Sequence, residues 1–134
     1  MPYEIIYKKA EGVVVTNYSG VLTDKEFRDC TAEKFSAYEE VKTYRYSLSD
    51  LTDLKSFEVS VEAVKESALA SKRALEENPT GVMVVVAPED FAFGMSRLWG
   101  GRAEDTLERV KVFRTRGEAD EWISDKMNGP SECS

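Results

Sequence analysis

The stretch Val82–Pro88, "VMVVVAP", decides the fold of this chain, because it is an unbroken run of apolar residues rich in valine. A strand with one wet face alternates apolar and polar residues, whereas this run offers no position for a solvent-facing side chain. Such a run is typical of a central strand covered on both faces, as in parallel sheets. It is also far too short to cross a bilayer. We therefore predict a buried strand here, with helices on both sides of the sheet.

The sequence on either side of this strand predicts alternating strands and helices. "YEIIYKK" and "GVVVTNYSG" are β-rich and separated by a short "AEG" turn, which indicates an antiparallel hairpin. Thr23 and Glu26 have capping-box spacing, and Phe27, Cys30 and Lys34 follow at helical spacing. Further strands are predicted over 44–51 and 110–115. The first helix is predicted over about 24–36 or a little beyond, and three more helices are predicted from 61, from 90 and over 116–127.

The resulting order is β-β-α-β-α-β-α-β-α, which predicts an α/β fold with a mostly parallel central sheet and flanking helices. The 134 residues suit one compact domain. The sequence contains no linker, repeat or low-complexity segment, so we assign one domain to residues 1–127. The last residues, 128–134, read "NGPSECS" and are predicted to be a disordered tail.

Composition narrows the possible partners and chemistry. The net charge is −7 without a basic stripe, so a phosphate backbone would be repelled and nucleic acid is not an expected partner. The N-terminal "MPYEIIYKKAEG" lacks the pattern of a secretion signal, and Cys30 and Cys133 give neither a disulfide framework nor metal-site spacing. These features predict a cytoplasmic protein without a membrane span.

The sequence contains no histidine, which excludes serine–histidine and cysteine–histidine catalysis and zinc sites built on imidazole. No nucleophile–base pair, calcium loop or phosphate-cradling loop can be named among the remaining residues. The carboxylates lie at irregular spacings, as solvated surface charges do. We therefore predict a protein that is not an enzyme and carries no cofactor or metal.

Ser60, in "EVSVEAV", lies at the end of the loop that is predicted to follow the strand over 44–51, where an amphipathic helix begins. Its hydroxyl is suited to cap that helix by accepting a backbone N–H of the first turn, which is worth about 1 kcal/mol. The alternative is phosphorylation, which the positive end of the helix would favour. Against it, Glu58 and Glu62 are each two residues away and would repel the added charge. A cap needs no partner and explains the serine by itself, but both readings stay open.

The segment "PEDFAFGMSRLW" carries an unusual number of aromatic residues and a methionine in a predicted helix. They are expected to fill the core, but the helix offers more apolar surface than one sheet face needs. Phe93 lies off the stripe of core residues, and Gly94 inside a helix suggests a close approach by another element. The alternative is a dimer contact or an apolar-ligand surface, for which the candidate residues are Phe91, Phe93, Met95, Arg97 and Trp99.

Two segments, "SLSDLTDLKSFEVS" and "VVVAPEDFAFGMSRLW", carry a resemblance to a known family. The chain resembles the STAS fold of the bacterial anti-sigma-factor antagonists. More closely, it is similar to the mostly uncharacterised SpoIIAA-like family, which is grouped with STAS and SEC14-type lipid-binding domains. The resemblance covers roughly residues 3–127, nearly the whole chain.

The resemblance implies a regulatory site around Ser60, which falls on the serine that the antagonists have phosphorylated. Asp50 matches the first acid of the family's motif and Glu58 the acid of its loop. Together with Asp53 these carboxylates are the predicted neighbours of a switch loop. Thr52, Val59 and Val61 stand where the motif has serine, serine and glycine.

Three hypotheses about function follow. The first is a regulatory domain that binds a protein partner, such as a kinase or an anti-sigma-type regulator, and is switched at Ser60. The second is a carrier or sensor of a small apolar, lipid-like ligand, as the SEC14 kinship implies. An enzyme is the third and has the least support. A homodimer is compatible with all three, because small amphipathic α/β units often cover leftover apolar surface by pairing.

Overall fold

The computed structural model describes residues 2–8, 10–40, 44–78, 81–90, 93–94 and 110–133. They form one five-stranded sheet in the order β1-β2-β3-β4-β5, in which only β1 is antiparallel to its neighbour. The strands are β1 (Tyr3–Lys8), β2 (Val13–Thr23), β3 (Tyr46–Glu58), β4 (Val82–Val86) and β5 (Val110–Phe113), and the helices are α1 (Asp24–Glu40), α2 (Val61–Glu77) and α3 (Arg116–Cys133). The predicted α/β fold with a mostly parallel sheet is therefore confirmed.

β4 lies between β3 and β5, and every one of its residues is buried. Met83 and Val85 face the side covered by α1 and α2, whereas Val84 and Val86 pack with Ala119 of α3 on the other side. The sheet is therefore the middle of three layers. The prediction of a strand hidden on both faces is confirmed, because the two-residue repeat of a strand sends alternate side chains into separate cores.

The segment between residues 52 and 58, which the sequence predicts as a loop, is part of strand β3 instead. Its partner is the end of β2, which continues past the predicted limit at Gly20, so that Ser19 pairs with Asp53 and Thr23 with Glu58. β4 pairs with β3 only as far as Asp50, so this extension has one strand neighbour and exposed positions that tolerate charge. The charged residues between 52 and 58, which suggest a loop in the sequence, are therefore compatible with a strand that has a neighbour on one side only.

Gly20 has a backbone φ of 68°, and the β2–β3 register shifts between Gly20 and Val21. A positive φ favours glycine, and an extra residue in one strand produces such an irregularity. The strand therefore continues through the glycine that the sequence suggests as its end.

After β4, the third predicted helix lies largely outside the described residues, of which Asp90, Phe93 and Gly94 have helical backbone. The predicted residues Phe91, Met95, Arg97 and Trp99 are among those not described. Helix α3 continues to Cys133, past Met127, where the sequence predicts that the ordered domain ends. The disorder of residues 128–134 stays a prediction.

Candidate functional site

Ser60 lies in the junction between β3 and α2 and is exposed. It is the N-cap of α2: its backbone is extended, and its Oγ accepts a hydrogen bond from the backbone N–H of Ala63 at 3.1 Å. Its hydroxyl donates to Asp24 Oδ2 at 2.8 Å, and its backbone N–H donates to Asp24 Oδ1 at 2.6 Å. One serine thus caps its own helix and ties it to the first residue of α1.

Charged side chains surround this tie on the outer side of the two helices. Arg28 Nη1 is 4.0 Å from Asp24 Oδ2, and its Nη2 pairs with Glu66 Oε2 at 2.8 Å. The hydrogen bonds from Ser60, first that of its backbone and then that of its hydroxyl, hold the pKa of Asp24 below its ordinary value, and Arg28 contributes in the same direction. Asp24 is therefore an ionised acceptor at neutral pH. We refer to Asp24, Arg28, Ser60 and Glu66 as the Ser60 cluster.

The lowered pKa of Asp24 predicts how Asp24→Asn changes the pH dependence of stability. A carboxyl group whose pKa is lower in the folded state stabilises the protein above its unfolded pKa of about 3.9, and this contribution disappears as the pH falls through the folded-state value. We expect Asp24→Asn to lower the free energy of unfolding at pH 7 and to flatten its decline in acid. Urea unfolding measured between neutral pH and pH 3 checks this.

Asp29→Asn is the matched control, because Asp29 lies on the same helix and its side chain is 53% exposed in a pair with Lys25. Surface pairs of this kind contribute little to stability. The Asp29 variant should therefore follow the acid profile of the unsubstituted protein. An Asp24→Asn profile with an unchanged acid slope would show that the Ser60 tie does not contribute.

The structure does not bring Asp50, Asp53 and Glu58 into the Ser60 cluster. Asp50, whose side chain is only 13% exposed, pairs with Arg116 Nη1 at 3.1 Å, on the side of the sheet that α3 covers. Asp53 lines an exposed polar groove beside β1 and β2. Glu58 accepts a hydrogen bond from Ser56 Oγ at 2.9 Å. Their role as neighbours of a switch stays a prediction.

Phe93 is partly buried and packs against the core cluster below α1 and α2. The guanidinium of Arg114 lies 4.0 Å from the centre of its ring and also pairs with Asp90 Oδ1 at 2.7 Å. Arg114 additionally donates to the carbonyl oxygen of Pro88. A stacked and paired arginine therefore covers the aromatic ring that the sequence suggests as an exposed contact, and its role at an interface stays a prediction.

A small cavity lies between the sheet and helices α1 and α2. Its volume is about 50 Å³, and one charged group, the ammonium of Lys34, reaches it. Lys34 Nζ donates to Tyr18 Oη at 3.3 Å and to Ser49 Oγ at 3.4 Å. Burial lowers the pKa of Lys34, with the nearby Cys30 acting in the opposite direction. The cavity is lined by Tyr18, Leu22, Phe27, Lys34, Ser49, Leu51, Phe57, Val64, Ser67 and Val85.

Among the described residues, no three or more cysteine, aspartate or glutamate side chains are grouped so that they could hold a metal ion. The helices within the same residues include none that is both long and apolar enough to span a membrane.

The mostly parallel sheet in sequential order, with a serine-capped helix crossing from β3 to β4, matches solved structures of the SpoIIAA-like α/β fold of the STAS type. The solved structures that match it bear this out. Bacillus cell fate determinant SpoIIAA in its phosphorylated form is 16% identical, with a TM-score of 0.59 over 90% of this chain and 98% of that one. The anti-sigma factor antagonist SpoIIAA in its unphosphorylated form is 14% identical, with a TM-score of 0.57 over 90% and 96%.

A third structure is an uncharacterised protein of the DUF3478 family with a SpoIIAA-like fold, from Shewanella loihica. It is 17% identical, with a TM-score of 0.54 over 90% of this chain and 91% of that one. No protein-family model matches the sequence, and no curated protein matches it either. At these identities the likeness establishes the fold, and function has to be argued from the residues.

The sequence predicts Ser60 at a helix start, as the structure shows, but gives no indication of its partners. Asp24 lies 36 residues away in sequence, and nothing in the local pattern indicates that the starts of α1 and α2 meet. The sequence does indicate that Lys34 points inward, because it lies at helical spacing from Phe27 and Cys30 on the apolar stripe of the first helix. A lysine at a stripe position is either a snorkelling side chain or a buried one, and the sequence alone does not distinguish them.

Proposed function

We propose that this chain is a non-enzymatic regulatory domain that acts by binding a protein partner through the surface around Ser60. The observation that carries the proposal is the exposed Ser60 hydroxyl at the positive end of α2, held by Asp24. Two exposed apolar side chains of α2, Val61 at 45% and Leu69 at 52%, lie on the same helix. Exposed apolar side chains together with charged groups are the composition that protein contacts use.

Phosphorylation of Ser60 is the switch that this geometry supports. A phosphate would replace the proton that Ser60 donates to Asp24 and would place about two negative charges beside that carboxylate. The phosphate and the Asp24 carboxylate would then repel each other, and the hydrogen bond that ties α1 to α2 would be lost. Arg28, already 4.0 Å from Asp24, would be a cation available to pair with the phosphate. A modification at one oxygen would thus change which charges the helix start presents to a partner.

The SpoIIAA structures provide independent support, because that protein is named as an anti-sigma factor antagonist and was solved both unphosphorylated and phosphorylated. The same fold surrounds Ser60 here. A partner of the kinase or anti-sigma type is therefore the class we propose.

Ser60→Asp tests the surface without disturbing the cap, because aspartate is as good an N-cap as serine. We expect this variant to stay folded and to lose a protein partner that the unsubstituted chain retains from a bacterial lysate, since its charge meets Asp24. Thr115→Asp is the matched control, because Thr115 Oγ1 caps α3, the helix on the other face of the sheet, by accepting from the backbone N–H of Glu118 at 3.2 Å. Quantitative mass spectrometry of the retained proteins gives the readout.

Equal retention by both variants would contradict the proposed surface. The switch is tested separately by incubating the unsubstituted chain with the lysate and ATP and measuring phosphate on Ser60 by mass spectrometry, with the Ser60→Ala variant as the control. A missing phosphate on Ser60 would remove the switch but leave protein binding in place.

A second candidate function, the carrier or sensor of a small apolar ligand, is favoured by one observation. The cavity below α1 and α2 is walled mainly by leucine, valine and phenylalanine side chains. An apolar lining with few polar groups is typical of small-molecule sites, but this cavity of about 50 Å³ is well below their usual volume of about 300–1,000 Å³, so a ligand would have to widen it. Native mass spectrometry of protein purified from cells would reveal a retained ligand.

A further inference from the structure

Strand β1 lies at one edge of the sheet and has an exposed apolar middle. It pairs with β2 on one side, and no strand of the described residues pairs with its other side. Of the five exposed large apolar side chains among the described residues, two are adjacent in this strand, Ile6 at 37% and Tyr7 at 42%. A sheet edge with apolar side chains is a template on which a further strand can pair.

The hydrogen bonds between β1 and β2 determine which backbone groups of β1 point away from the sheet. Ser19 N–H donates to the carbonyl oxygen of Pro2 at 2.8 Å. In an antiparallel pair, residues that bond to the neighbouring strand alternate with residues that do not. The even-numbered residues of β1 therefore bond to β2, whereas Ile5 directs its N–H and its carbonyl oxygen outward, as pairing with a further strand requires.

The side chains of β1 alternate between the two faces of the sheet. Ile5 packs against the core clusters on the side of α1 and α2. Glu4, Ile6 and Lys8 therefore form a row on the opposite face. None of the ion pairs formed by the described residues includes Glu4 or Lys8. The row thus has an exposed apolar centre with an acid at one end and a base at the other.

We propose that two copies of this chain pair antiparallel through β1, with Ile6 of one copy opposite Ile6 of the other. In this register, Glu4 of each copy lies opposite Lys8 of the second copy, so that both ends of the row meet an opposite charge. The two sheets then continue as one. A contact of this kind is self-complementary, as a two-fold symmetric dimer requires, and opposite charges directly across two strands stabilise their pairing.

Other registers of the same pairing are less favourable. A slide of one residue would send each row to the wrong face of the sheet. A slide of two residues places Ile6 opposite Glu4 or Lys8, depending on its direction, and a slide of four places Glu4 opposite Glu4 or Lys8 opposite Lys8. Like charges directly opposite each other are destabilising. The charges that protect this edge from pairing with other strands therefore specify its pairing with a second copy.

The dimer is expected to be weak and independent of the proposed switch. A contact limited to one six-residue strand is smaller than the roughly 1,200–2,000 Å² of a standard stable interface, so the dimer should form in proportion to protein concentration. The Ser60 cluster contains no residue of β1, so the inference goes beyond the proposed function and does not depend on it.

Sedimentation velocity of the full chain over a series of concentrations tests the dimer. We expect a monomer–dimer equilibrium for the unsubstituted chain. Ile6→Asp removes the apolar centre and places two carboxylates opposite each other, so its dissociation constant should rise at least about tenfold. Val21→Asp is the matched control, because Val21 is 46% exposed on β2 but lies beyond the residues that pair with β1. This control should dimerise as the unsubstituted chain does.

A charge exchange tests the register. Glu4→Lys turns both end pairs from attractive to repulsive and should weaken the dimer about tenfold at low ionic strength. Adding Lys8→Glu to the same chain restores opposite charges at both ends and returns the net charge to its original value. We expect the double variant to regain the dimer, which a general effect of charge on association would not produce.

Three results would overturn the proposal. The first is a chain that stays monomeric at every concentration, which is also expected if the β1 edge instead binds an extended segment of another protein. The second is a dimer that persists in Ile6→Asp, because its contact would lie elsewhere. The third is a Glu4→Lys dimer that Lys8→Glu does not rescue, because the register would be wrong. Urea unfolding of each variant shows whether it remains folded, so that lost association can be assigned to the edge.

Discussion

Val84→Asp is expected to leave most of the chain unfolded at pH 7. Val84 is 1% exposed, in the middle of β4, and packs with the core side chains that α3 covers. A carboxylate at this position would lose the burial of the valine side chain, worth about 1.5–3 kcal/mol, and would bury an unpaired charge at a further cost of several kcal/mol. The sum is comparable with the whole stability of a typical domain, about 5–15 kcal/mol. Far-UV circular dichroism and the dispersion of the proton NMR spectrum measure the loss.

Val21→Asp makes the same chemical change on β2, where the side chain is 46% exposed. A solvated carboxylate pays no burial cost, so only strand propensity changes, by less than about 1 kcal/mol. This variant should keep the spectrum of the folded protein. A folded Val84→Asp protein with an unchanged urea midpoint would mean that β4 is not covered on both faces.

The buried strand could be predicted because its evidence is local. In Val82–Val86 the composition alone excludes a wet face, and the prediction needs no knowledge of what lies opposite. The extension of β3 through Asp53 to Glu58 shows the opposite case. Those residues alternate charge with apolar side chains only loosely, and they form a strand because β2 happens to continue alongside them. Pairing with a distant strand overrides a weak local preference.

In the candidate site, too, the features with local evidence can be predicted and those that depend on distant contacts cannot. The cap by Ser60 follows from the residues beside it, since a serine before an amphipathic helix has one common structural role. Its tie to Asp24 does not follow, because the contact depends on where two crossover helices begin in space. The hydrogen bonds of Lys34 to Tyr18 and Ser49 are equally invisible in sequence, because they depend on how α1 lies on the sheet.

Leu75→Ala is the second substitution with a large expected effect, and it tests the packing of the helix that Ser60 begins. Leu75 is fully buried and contacts the cluster that includes Val14, Tyr44 and Met83. Truncation of a buried leucine costs about 2–5 kcal/mol, because the lost transfer free energy is joined by the cavity left behind. Urea unfolding at pH 7 should show a loss of that size with an unchanged slope.

Leu69→Ala separates this packing effect from any effect on the helix itself. Leu69 belongs to the same helix but is 52% exposed, and the change from leucine to alanine alters helix propensity equally at both positions. The free energy of unfolding of the Leu69→Ala variant should therefore differ from that of the unsubstituted protein by no more than about 0.5 kcal/mol. Equal losses at the two positions would mean that α2 does not bury the face that carries Leu75. A large loss at Leu75 alone would make Leu69→Ala a folded variant in which any loss of partner binding reports on the outer face of α2.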